Sequence, residues 1–397
     1  MSVRGGIMND RDVLYPYLDT PAVLMDMDRL EANIAEMAQA AAEAGVELRP
    51  HVKIHQCPAI AKMQIEAGAC GVEVGNVDQA EVMAKAGIDD IMIVHPFFGE
   101  RKLEKLKRLV NKPGFALSIV VDMIEQAEEL SGLGQGAGVK IPVHMKIDTG
   151  ANRYGVLPGK PVLELAGKLG QLRGIDFVGI YAHESGAVPT DSGVAESALE
   201  VGSIMTEAAT MLRGEGFQIE TVSVGASPTF RATCRYLKQG TLTGITEIHP
   251  GGSVIGDMSY VKSHGSAIEA CALTVLSSVV STSHPDHLVI DAGLKTLGGD
   301  SLIGRRGDPN FFWKGMPRFG AIQGRPEVWL GRLGAESGLG YYVDPDVDSH
   351  KKLRLGERIE IVPNNATVVI NIHDRIYGVR NGEIEREFSI AGRGRGS

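Results

Sequence analysis

Cysteine is scarce in this sequence, and the few that occur are scattered. The 397 residues include four cysteines (Cys57, Cys70, Cys234 and Cys271), with no CxxC pair among them. This excludes a disulfide framework and a cysteine-based zinc knot, and it is typical of reduced thiols in the cytosol. No apolar run approaches the roughly 18 residues that span a bilayer, and the segment MSVRGGIMND lacks the apolar core of a signal peptide. We therefore expect a cytoplasmic protein without membrane spans.

Basic residues are also in the minority. Lys and Arg number 40 against 49 Asp and Glu, which gives a formal net charge of −9. Nucleic-acid binding needs a basic patch or stripe, so this balance argues against a nucleic-acid partner. A hydrophobic fraction of 43% with 22% charged residues is that of an ordinary globular chain and excludes disorder for the bulk of it. We expect the partner to be a small molecule.

What the sequence does contain is a regular alternation of short β-rich runs with helical patterns. Eight strands are predicted before residue 265, and such alternation favours a (β/α)8 TIM-like barrel over an open sheet. An additional strand and helix at 20–45 precede the first barrel strand. After residue 265 the helical pattern gives way to strand-like runs, including 366–374. We predict an α/β barrel over residues 19–265 and a C-terminal all-β domain over residues 266–397. Residues 1–18 are predicted to belong to this second domain. The predicted barrel strands are 46–53, 70–75, 90–95, 115–121, 141–148, 175–183, 221–225 and 245–251.

Reactive groups of such a barrel sit where its strands end. The first predicted strand ends in the run HVKIH, residues 51–55, which contains Lys53. An amine at the barrel mouth can be desolvated, which lowers its pKa and makes it a nucleophile toward carbonyl groups. The alternative is an ordinary solvated rim lysine, since most lysines are surface residues.

Two further strand ends carry polar groups. Arg153 follows the predicted strand 141–148 and would project over the mouth, although a surface arginine beside a turn is an equal alternative. Strand 175–183 runs into YAHESG, where Tyr181, His183 and Glu184 offer acid, base and hydrogen-bonding groups. The alternative for His183 is a satisfied core histidine.

Small-residue loops follow the last two predicted barrel strands. They read GASPT and HPGGS, and the loops after strands 7 and 8 are the usual phosphate site of this architecture. Small side chains let backbone N–H groups approach an anion closely. A mouth with a lysine, a phosphate cradle and polar groups is what pyridoxal 5'-phosphate (PLP) requires. The candidate cradle residues are Gly225, Ser227, Thr229, Gly252 and Ser253.

Seven ordered motifs carry a resemblance to a known family. The chain resembles the D-threonine aldolase and D-serine dehydratase family, fold-type III PLP enzymes related to alanine racemase, from about residue 14 to about 393. The motifs are LDTPAVLMDMDRLEANI, RPHVKIH, KIDTGANRYGV, IYAHESG, GASPT, HPGGSVIGD and DAGLKTLGGD.

The resemblance implies roles for individual residues. Lys53 matches the lysine that holds PLP covalently, Arg153 the arginine near the phenolic oxygen, and Tyr181 a tyrosine near the pyridine ring. His55 matches a histidine that can act as an acid or base near the substrate. A homodimer is also implied. Ser227, Thr229, Gly252 and Ser253 fall in the phosphate-binding loops.

One segment departs from the family pattern. Members that act on β-hydroxy amino acids typically bind a divalent metal through a His and, two positions later, a Cys or Asp in a P-x-H-x-[CD] segment. Here that segment is 363–367, with Asn365 at the position of the His and Thr367 at the position of the Cys or Asp. Nearby, the family's E-H-G motif becomes ESG at 336–338, so that Ser337 stands in place of a histidine. Amide and hydroxyl oxygens are poor transition-metal ligands. We therefore expect no metal there; Asn365, Thr367 and Ser337 would instead leave a polar pocket for a hydroxyl group.

Taken together, these features predict a PLP-dependent lyase that cleaves D-β-hydroxy-α-amino acids to glycine and an aldehyde. Without a metal, His55, His183 or a water must accept the hydroxyl proton. The alternatives are a D-serine or D-3-hydroxyaspartate type dehydratase, a racemase or epimerase, and a transaldolase. A non-catalytic PLP carrier and a barrel enzyme without PLP also remain open.

Overall fold

A computed structural model describes residues 13–184, 190–264, 267–301 and 312–396. Contacts divide the chain into two units. The first, which we call the strand unit, comprises residues 1–31, 255–261 and 266–390, and the second, the barrel unit, comprises 32–254, 262–265 and 391–397. None of the described helices is both long and apolar enough to cross a membrane.

The barrel unit is built on eight parallel strands, as the alternating pattern predicts. Their order in the sheet is β2-β9-β8-β7-β6-β5-β4-β3, and a parallel bridge between His51 and Glu73 joins the two ends of this series. The (β/α)8 barrel is therefore confirmed. The strands are β2 (Glu47–Leu48), β3 (Val72–Val74), β4 (Asp90–Ile93), β5 (Ala116–Val121), β6 (Ile141–Lys146), β7 (Ile175–His183), β8 (Thr221–Gly225) and β9 (Glu247–Ile248).

Helices follow the strands and cover the outside of the barrel. Their apolar faces pack on strand residues such as Val74, Ile119 and Val222 in one large core. Local signals set their ends, because the Asn76 side chain accepts the backbone N–H of Gln79 as an N-cap and Gly138 ends a helix with φ of 71°. These helices are α2 (Pro58–Glu66), α3 (Val77–Lys85), α4 (Glu100–Val110), α5 (Ile124–Ala137), α6 (Lys160–Leu169), α7 (Asp191–Gly214) and α8 (Phe230–Lys238). Two more helices, α1 (Met27–Ala44) and α9 (Met258–His264), each have residues in both units.

The strand unit contains a nine-stranded mixed sheet and a two-stranded ribbon. The main path of the sheet is β15-β16-β11-β10-β1-β18-β19, and β17 pairs with both β10 and β14. The strands are β1 (Ala22–Asp26), β10 (Leu273–Ser281), β11 (His287–Ile290), β12 (Phe312–Trp313), β13 (Met316–Pro317), β14 (Gly320–Ile322), β15 (Val328–Leu333), β16 (Gly338–Tyr342), β17 (Arg358–Pro363), β18 (Arg375–Arg380) and β19 (Glu383–Ser389).

Two features of the strand unit differ from the sequence prediction. Residues 19–31 were placed with the barrel, but β1 pairs antiparallel with β10 and parallel with β18. The run 366–374 was predicted as a strand because it is rich in Val and Ile, but Ala366–Ile372 is a helix, α11. Asn365 caps this helix, and that local signal outweighs the β propensity of the run. Another short helix, α10, spans Leu294–Leu297, so the unit is strand-rich and not all-β.

Candidate active site

Lys53 lies in a 3-10 turn at Val52–Ile54, directly after the bridge that closes the barrel. Its side chain reaches solvent, whereas the neighbours on either side, Val52 and Ile54, are buried. Loss of hydration from the surrounding protein lowers the pKa of the Lys53 amine, Glu73 opposes this and Arg153 adds to it. The structure thus gives the predicted lysine an accessible amine that is deprotonated more easily than a surface lysine.

The two predicted phosphate loops meet beside the ends of β8 and β9. The backbone N–H of Ser253 donates to Ser227 Oγ at 3.1 Å, which ties one loop to the other. Small residues are needed here, since a Cβ on Gly252 would lie 3.1 Å from Ser227 Oγ and one on Gly225 would lie 2.8 Å from the His249 nitrogen. The Thr229 hydroxyl is buried and donates to the carbonyl of Ala226 at 3.3 Å. The small residues leave room for a phosphate group beside the backbone, and Ser227 is the one of these three hydroxyl residues that is partly exposed.

Two basic side chains lie close together after β6: Lys146 is the last residue of this strand, and Arg153 is in the loop that follows it. Lys146 is 3% exposed, and its Nζ has no hydrogen-bond partner among the described residues. It lies 4.5 Å from the ring centre of Tyr181 and 4.9 Å from that of Tyr154, and burial followed by repulsion from Arg153 lowers its pKa to about 8. The guanidinium of Arg153 stacks on Tyr154 at 4.7 Å. An anionic ligand could pair here with the Lys146 amine, which has no hydrogen-bond partner among the described residues.

Tyr181 sits at the centre of the polar interior. Its ring packs with Met92, Val94 and Val120 and stacks on His249 with ring centres 4.3 Å apart. Its hydroxyl donates to Glu73 Oε2 at 3.3 Å. Burial, then the charge of Glu73, raises the pKa of Tyr181 well above its usual value, so the phenol keeps its proton. Tyr181 is therefore a fixed hydrogen-bonding ring in the barrel interior.

His183 ends β7 close to these cations. Burial and the charges of Lys53, Lys146 and Arg153 lower its pKa to about 3. The ring is therefore neutral near pH 7, and in this environment it is a weaker base than an exposed histidine. It lies 6.3 Å from the ring of His249. Ser185 and Gly186, which follow in the same predicted motif, lie outside the described residues.

His55 departs from the expectation that it acts as an acid or base. It is completely buried, its Nδ1 accepts the backbone N–H of Cys57 at 3.1 Å, and its Nε2 lies 3.2 Å from Gln64 Oε1. Burial lowers its pKa to about 4. Since both ring nitrogens are used inside the protein, His55 has a packing role in this structure, and we remove it from the candidate proton acceptors.

From the sequence we placed Lys53, Arg153, Tyr181, His183 and the two loops in one site. Three buried side chains close to these residues were missed. Glu73, Lys146 and His249 were each inside a predicted strand or motif and received no role. The available signal was a charged residue in the middle of an otherwise apolar strand, as in the run GVEV at 71–74. Such a residue is costly unless it is paired or functional.

The segment that carries metal ligands in the family pattern has a different structure here. Asn365 Oδ1 accepts the backbone N–H groups of Thr367 and Val368 at 3.1 and 3.4 Å, and its Nδ2 donates to Asp300 Oδ2 at 2.9 Å. The amide is thus used as a helix cap, and neither it nor Thr367 offers imidazole, thiolate or carboxylate. These residues do not fit a transition-metal ion. Both polar atoms of Asn365 already have partners within the protein, so at most the second N–H of its Nδ2 is left for the hydroxyl pocket that we expected.

Within the described part of the chain, one group of three metal-ligating side chains lies close together. It consists of His284, Asp286 and His287 in the turn between β10 and β11, with ligand atoms within 4.8 Å of one another. The His287 Nδ1 already lies 2.9 Å from Asp286 Oδ1, and the rings of the two histidines stack at 4.2 Å. Stacked rings cannot both direct a nitrogen at one ion without moving, so we assign this turn no metal.

Comparison with family models covers most of the chain. Residues 25–258 match the alanine racemase N-terminal domain, and residues 272–379 match a putative serine dehydratase domain. The first match includes every barrel strand.

Relatives of known activity align along nearly the whole length. The chain is 30% identical over 390 residues to a 3-hydroxy-D-aspartate aldolase of Paracoccus denitrificans, covering 96% of this chain and 93% of the relative. It is 31% identical over 359 residues to a D-threo-3-hydroxyaspartate dehydratase of Delftia sp., covering 88% and 91%. A crystal structure of D-threonine aldolase from Filomicrobium marinum superposes with a TM-score of 0.83 at 31% identity, covering 97% of this chain and 98% of that one.

Proposed function

The chain belongs to the alanine racemase-like family whose members include PLP-dependent lyases of D-hydroxyamino acids, and from that membership we propose that it cleaves D-β-hydroxy-α-amino acids to glycine and an aldehyde. The observation that carries the proposal is the accessible Lys53 amine of lowered pKa at a barrel mouth with a small-residue cradle. When bound, PLP supplies an electron sink that makes the bond between Cα and Cβ breakable.

The chain's own residues account for binding. The Lys53 amine is the nucleophile toward the cofactor aldehyde, because its lowered pKa leaves more of it unprotonated near neutral pH. The Ser227 hydroxyl and the Gly252 backbone N–H would hold the phosphate, and Ser253 would join them by exchanging its present bonds to Ser227 for bonds to the phosphate. Tyr181 would form one fixed wall of the ring site.

Cleavage also needs a group that accepts the proton of the substrate β-hydroxyl. We assign this role to His183, whose ring is neutral near pH 7. The charges of Lys53, Lys146 and Arg153 help to lower its pKa, so an anionic ligand bound beside them would raise the basicity of His183 toward the range that a general base needs. His55 is not available because the protein uses both of its nitrogens. No metal takes part in this proposal, since Asn365 and Thr367 do not fit one.

The test is incubation of the purified protein with a panel of D-β-hydroxy amino acids and their L-enantiomers. Glycine and an aldehyde from the D-forms support the proposal, a keto acid supports dehydration as in the Delftia relative, and inverted substrate alone supports racemisation. Lys53→Ala is the control and should lose both turnover and the visible band of the bound cofactor. A wild-type protein that never acquires such a band with PLP would exclude all three activities.

Metal dependence is tested separately. Protein treated with a chelator and then dialysed should keep its turnover, and divalent ions added back should not raise it. Elemental analysis gives the contrary outcome: one equivalent of a divalent ion, whose removal abolishes turnover, would contradict this part of the proposal. We also propose a homodimer, which light scattering of the purified protein would check.

A further inference from the structure

The last residues of the chain lie against the barrel. Residues 391–397 belong to the barrel unit, and we call residues 391–396 the tail. Within the tail, the N–H of Arg395 donates to the carbonyl of Gly392 at 3.3 Å, so these residues form a turn. Gly392 is buried, whereas the residues on either side of it are exposed. A terminal segment is poorly ordered unless contacts hold it, so a buried glycine there indicates a specific contact.

The first contact of the tail is with Gln56, three residues after Lys53. The N–H of Gly392 donates to the carbonyl of Gln56 at 2.9 Å. A Cβ on Gly392 would lie 3.0 Å from that oxygen and 3.1 Å from the Gln56 Cβ, so this close approach requires glycine. Gln56 is 5% exposed and has φ of 49°, a left-handed conformation that residues with a side chain seldom adopt. Such a backbone persists where its surroundings hold it, and the tail is one of its supports.

Lys53 lies inside a turn that Gln56 closes. The N–H of Gln56 donates to the carbonyl of Val52 at 2.8 Å, across the lysine. Before the turn, His51 pairs with Glu73 of the neighbouring strand β3. At the end of the turn, the carbonyl of Gln56 accepts the hydrogen bond from the tail. The turn that carries Lys53 is therefore held on one side by a barrel strand and on the other side by the tail.

The second contact of the tail is with the loop after β3. The Nδ2 of Asn76 donates to the carbonyl of Arg395 at 2.7 Å. The Oδ1 of the same side chain accepts the N–H of Gln79 at 2.9 Å and so caps helix α3. Asn76 follows β3, the strand that pairs with His51, so the two contacts lie where neighbouring barrel strands end. The tail therefore joins the loop after β3 to the Lys53 turn at the edge of the mouth.

We propose that the tail is a positioning element of the active site, and that its backbone contacts with Gln56 and Asn76 hold the turn that carries Lys53. A lysine that must meet one atom of a bound cofactor needs a fixed backbone, since a misplacement of about 1 Å can cost about 10²-fold in rate. This inference rests on the proposed function, in which Lys53 holds PLP. It deepens that function by adding residues that act through the Lys53 turn.

Three variants of the full protein weaken these contacts in different ways. Asn76→Asp keeps the oxygen that caps α3 but removes the N–H donor to the tail. Gly392→Val places a branched side chain against Gln56, and a chain that ends at Ile390 lacks the tail altogether. The matched control is Gly396→Val, because a Cβ at Gly396 would meet no atom within 4 Å.

Two measurements test the inference. The first is amide hydrogen exchange without cofactor: the peptide 52–57, which contains the N–H of Gln56, should exchange faster in the three variants and at the wild-type rate in Gly396→Val. The second is the PLP concentration that half-saturates the visible band of the bound cofactor, with Lys53→Ala as the blank. This concentration should rise about two- to tenfold in Asn76→Asp, the contribution of one hydrogen bond between neutral groups, and further in the other two variants.

A tail that only adds stability would give a different pattern. The variants would then unfold at lower urea concentrations, while the exchange of peptide 52–57 and the half-saturating PLP concentration stayed at the wild-type values, and this would overturn the inference. An equal effect of Gly396→Val would overturn it as well. If the shortened chain does not fold, the point variants at Asn76 and Gly392 decide. A wild-type protein without any Lys53-dependent band would mean that the proposed function has failed, and hydrogen exchange alone then decides whether the tail holds the turn.

Discussion

The polar side chains of the barrel mouth differ from that of Asn365 in whether their polar atoms have hydrogen-bond partners, although the neighbouring Asn364 Oδ1 is itself buried without one in the described chain. At the mouth, Lys146 Nζ, His249 Nε2 and Glu73 Oε1 are buried without hydrogen-bond partners in the described chain. At Asn365 both polar atoms of the side chain are engaged, one by helix α11 and one by Asp300. Buried polar groups in proteins are normally satisfied, so the unpartnered atoms at the mouth favour a ligand there, but His144 and Asn364 Oδ1 are unpartnered as well and do not by themselves indicate a second ligand site.

The difference teaches how to interpret a partly retained family pattern. In the barrel, Lys53, Arg153, Tyr181 and the two loops are the residues to which the proposed function gives a ligand. In the strand unit, Asn365 and Thr367 stand at the positions where the family pattern has metal ligands, and the Asn365 side chain caps helix α11. The proposed function therefore keeps one part of the family's chemistry and gives up another.

The largest expected effect comes from removing the proposed proton acceptor at the mouth, which tests whether the unpartnered groups there serve a reaction. His183→Gln should lower kcat on the best substrate of the panel by about 10²–10⁴-fold, the usual contribution of a general base. The visible band of the bound cofactor should remain, because His183 is not proposed to hold it. Steady-state kinetics with absorbance spectra measure both.

His144 provides the matched control for this variant. The pKa of His144 is also lowered to about 3, by burial and by the charge of Arg49, and Lys53 does not contribute. His144 lines a different cavity, at the starts of the barrel strands, together with Asp90, Ala116 and Thr221. His144→Gln should keep kcat near the wild-type value once folding has been checked. If both variants lose the same activity, the assignment of His183 fails.

The next largest effect concerns the cost of the unpaired Lys146. Its pKa falls from 10.5 to about 8, so the unfolded chain binds more protons than the native one between these values, and stability rises with pH across that window. At pH 7 the full penalty applies, on the order of 3 kcal/mol. Lys146→Met, measured without cofactor by urea unfolding, should therefore stabilise the protein at pH 7.

The gain from Lys146→Met should shrink as the pH rises from about 8 toward 10.5, because wild-type Lys146 then becomes neutral as well. Lys140→Met is a useful reference, since Lys140 is exposed and should show no such gain. A Lys146→Met variant that is less stable than wild type at pH 7 would contradict this prediction. It would mean that the cation–π interactions of Lys146 with the rings of Tyr154 and Tyr181 exceed the cost of burying its charge.

The sequence alone predicted the barrel and most of the mouth, and physical reasons explain both successes and misses. The eight strands were predictable because alternating βα periods and helix-ending glycines are local signals. Lys53 and Arg153 were singled out because they follow strands, and Tyr181 because it lies near the end of β7; the roles of these three residues stay predictions. The family pattern misled us on His55, since only the structure shows that Cys57 and Gln64 use both of its nitrogens.

Other features depend on contacts between residues distant in sequence. The Glu73–Tyr181 hydrogen bond joins positions 108 residues apart, and nothing in either strand announces it. The pairing of β1 with β10 and β18 is also nonlocal, so a boundary at residue 19 could not be corrected from sequence. Helix α11 was the exception: the Asn365 cap was readable, but the run of β-branched residues was weighted more heavily.

The smallest expected effect tests the structural side of the comparison. Asn365→Ala removes the acceptor for the Thr367 and Val368 N–H groups and should lower the free energy of unfolding by about 1 kcal/mol. Asn365→Ser keeps a capping oxygen and should lose less. Urea unfolding measures both variants, and the visible band of the bound cofactor should be the same in all three proteins. An Asn365→Ala protein as stable as wild type would show that the amide is not a working helix cap, and the contrast with the mouth would then lose its physical basis.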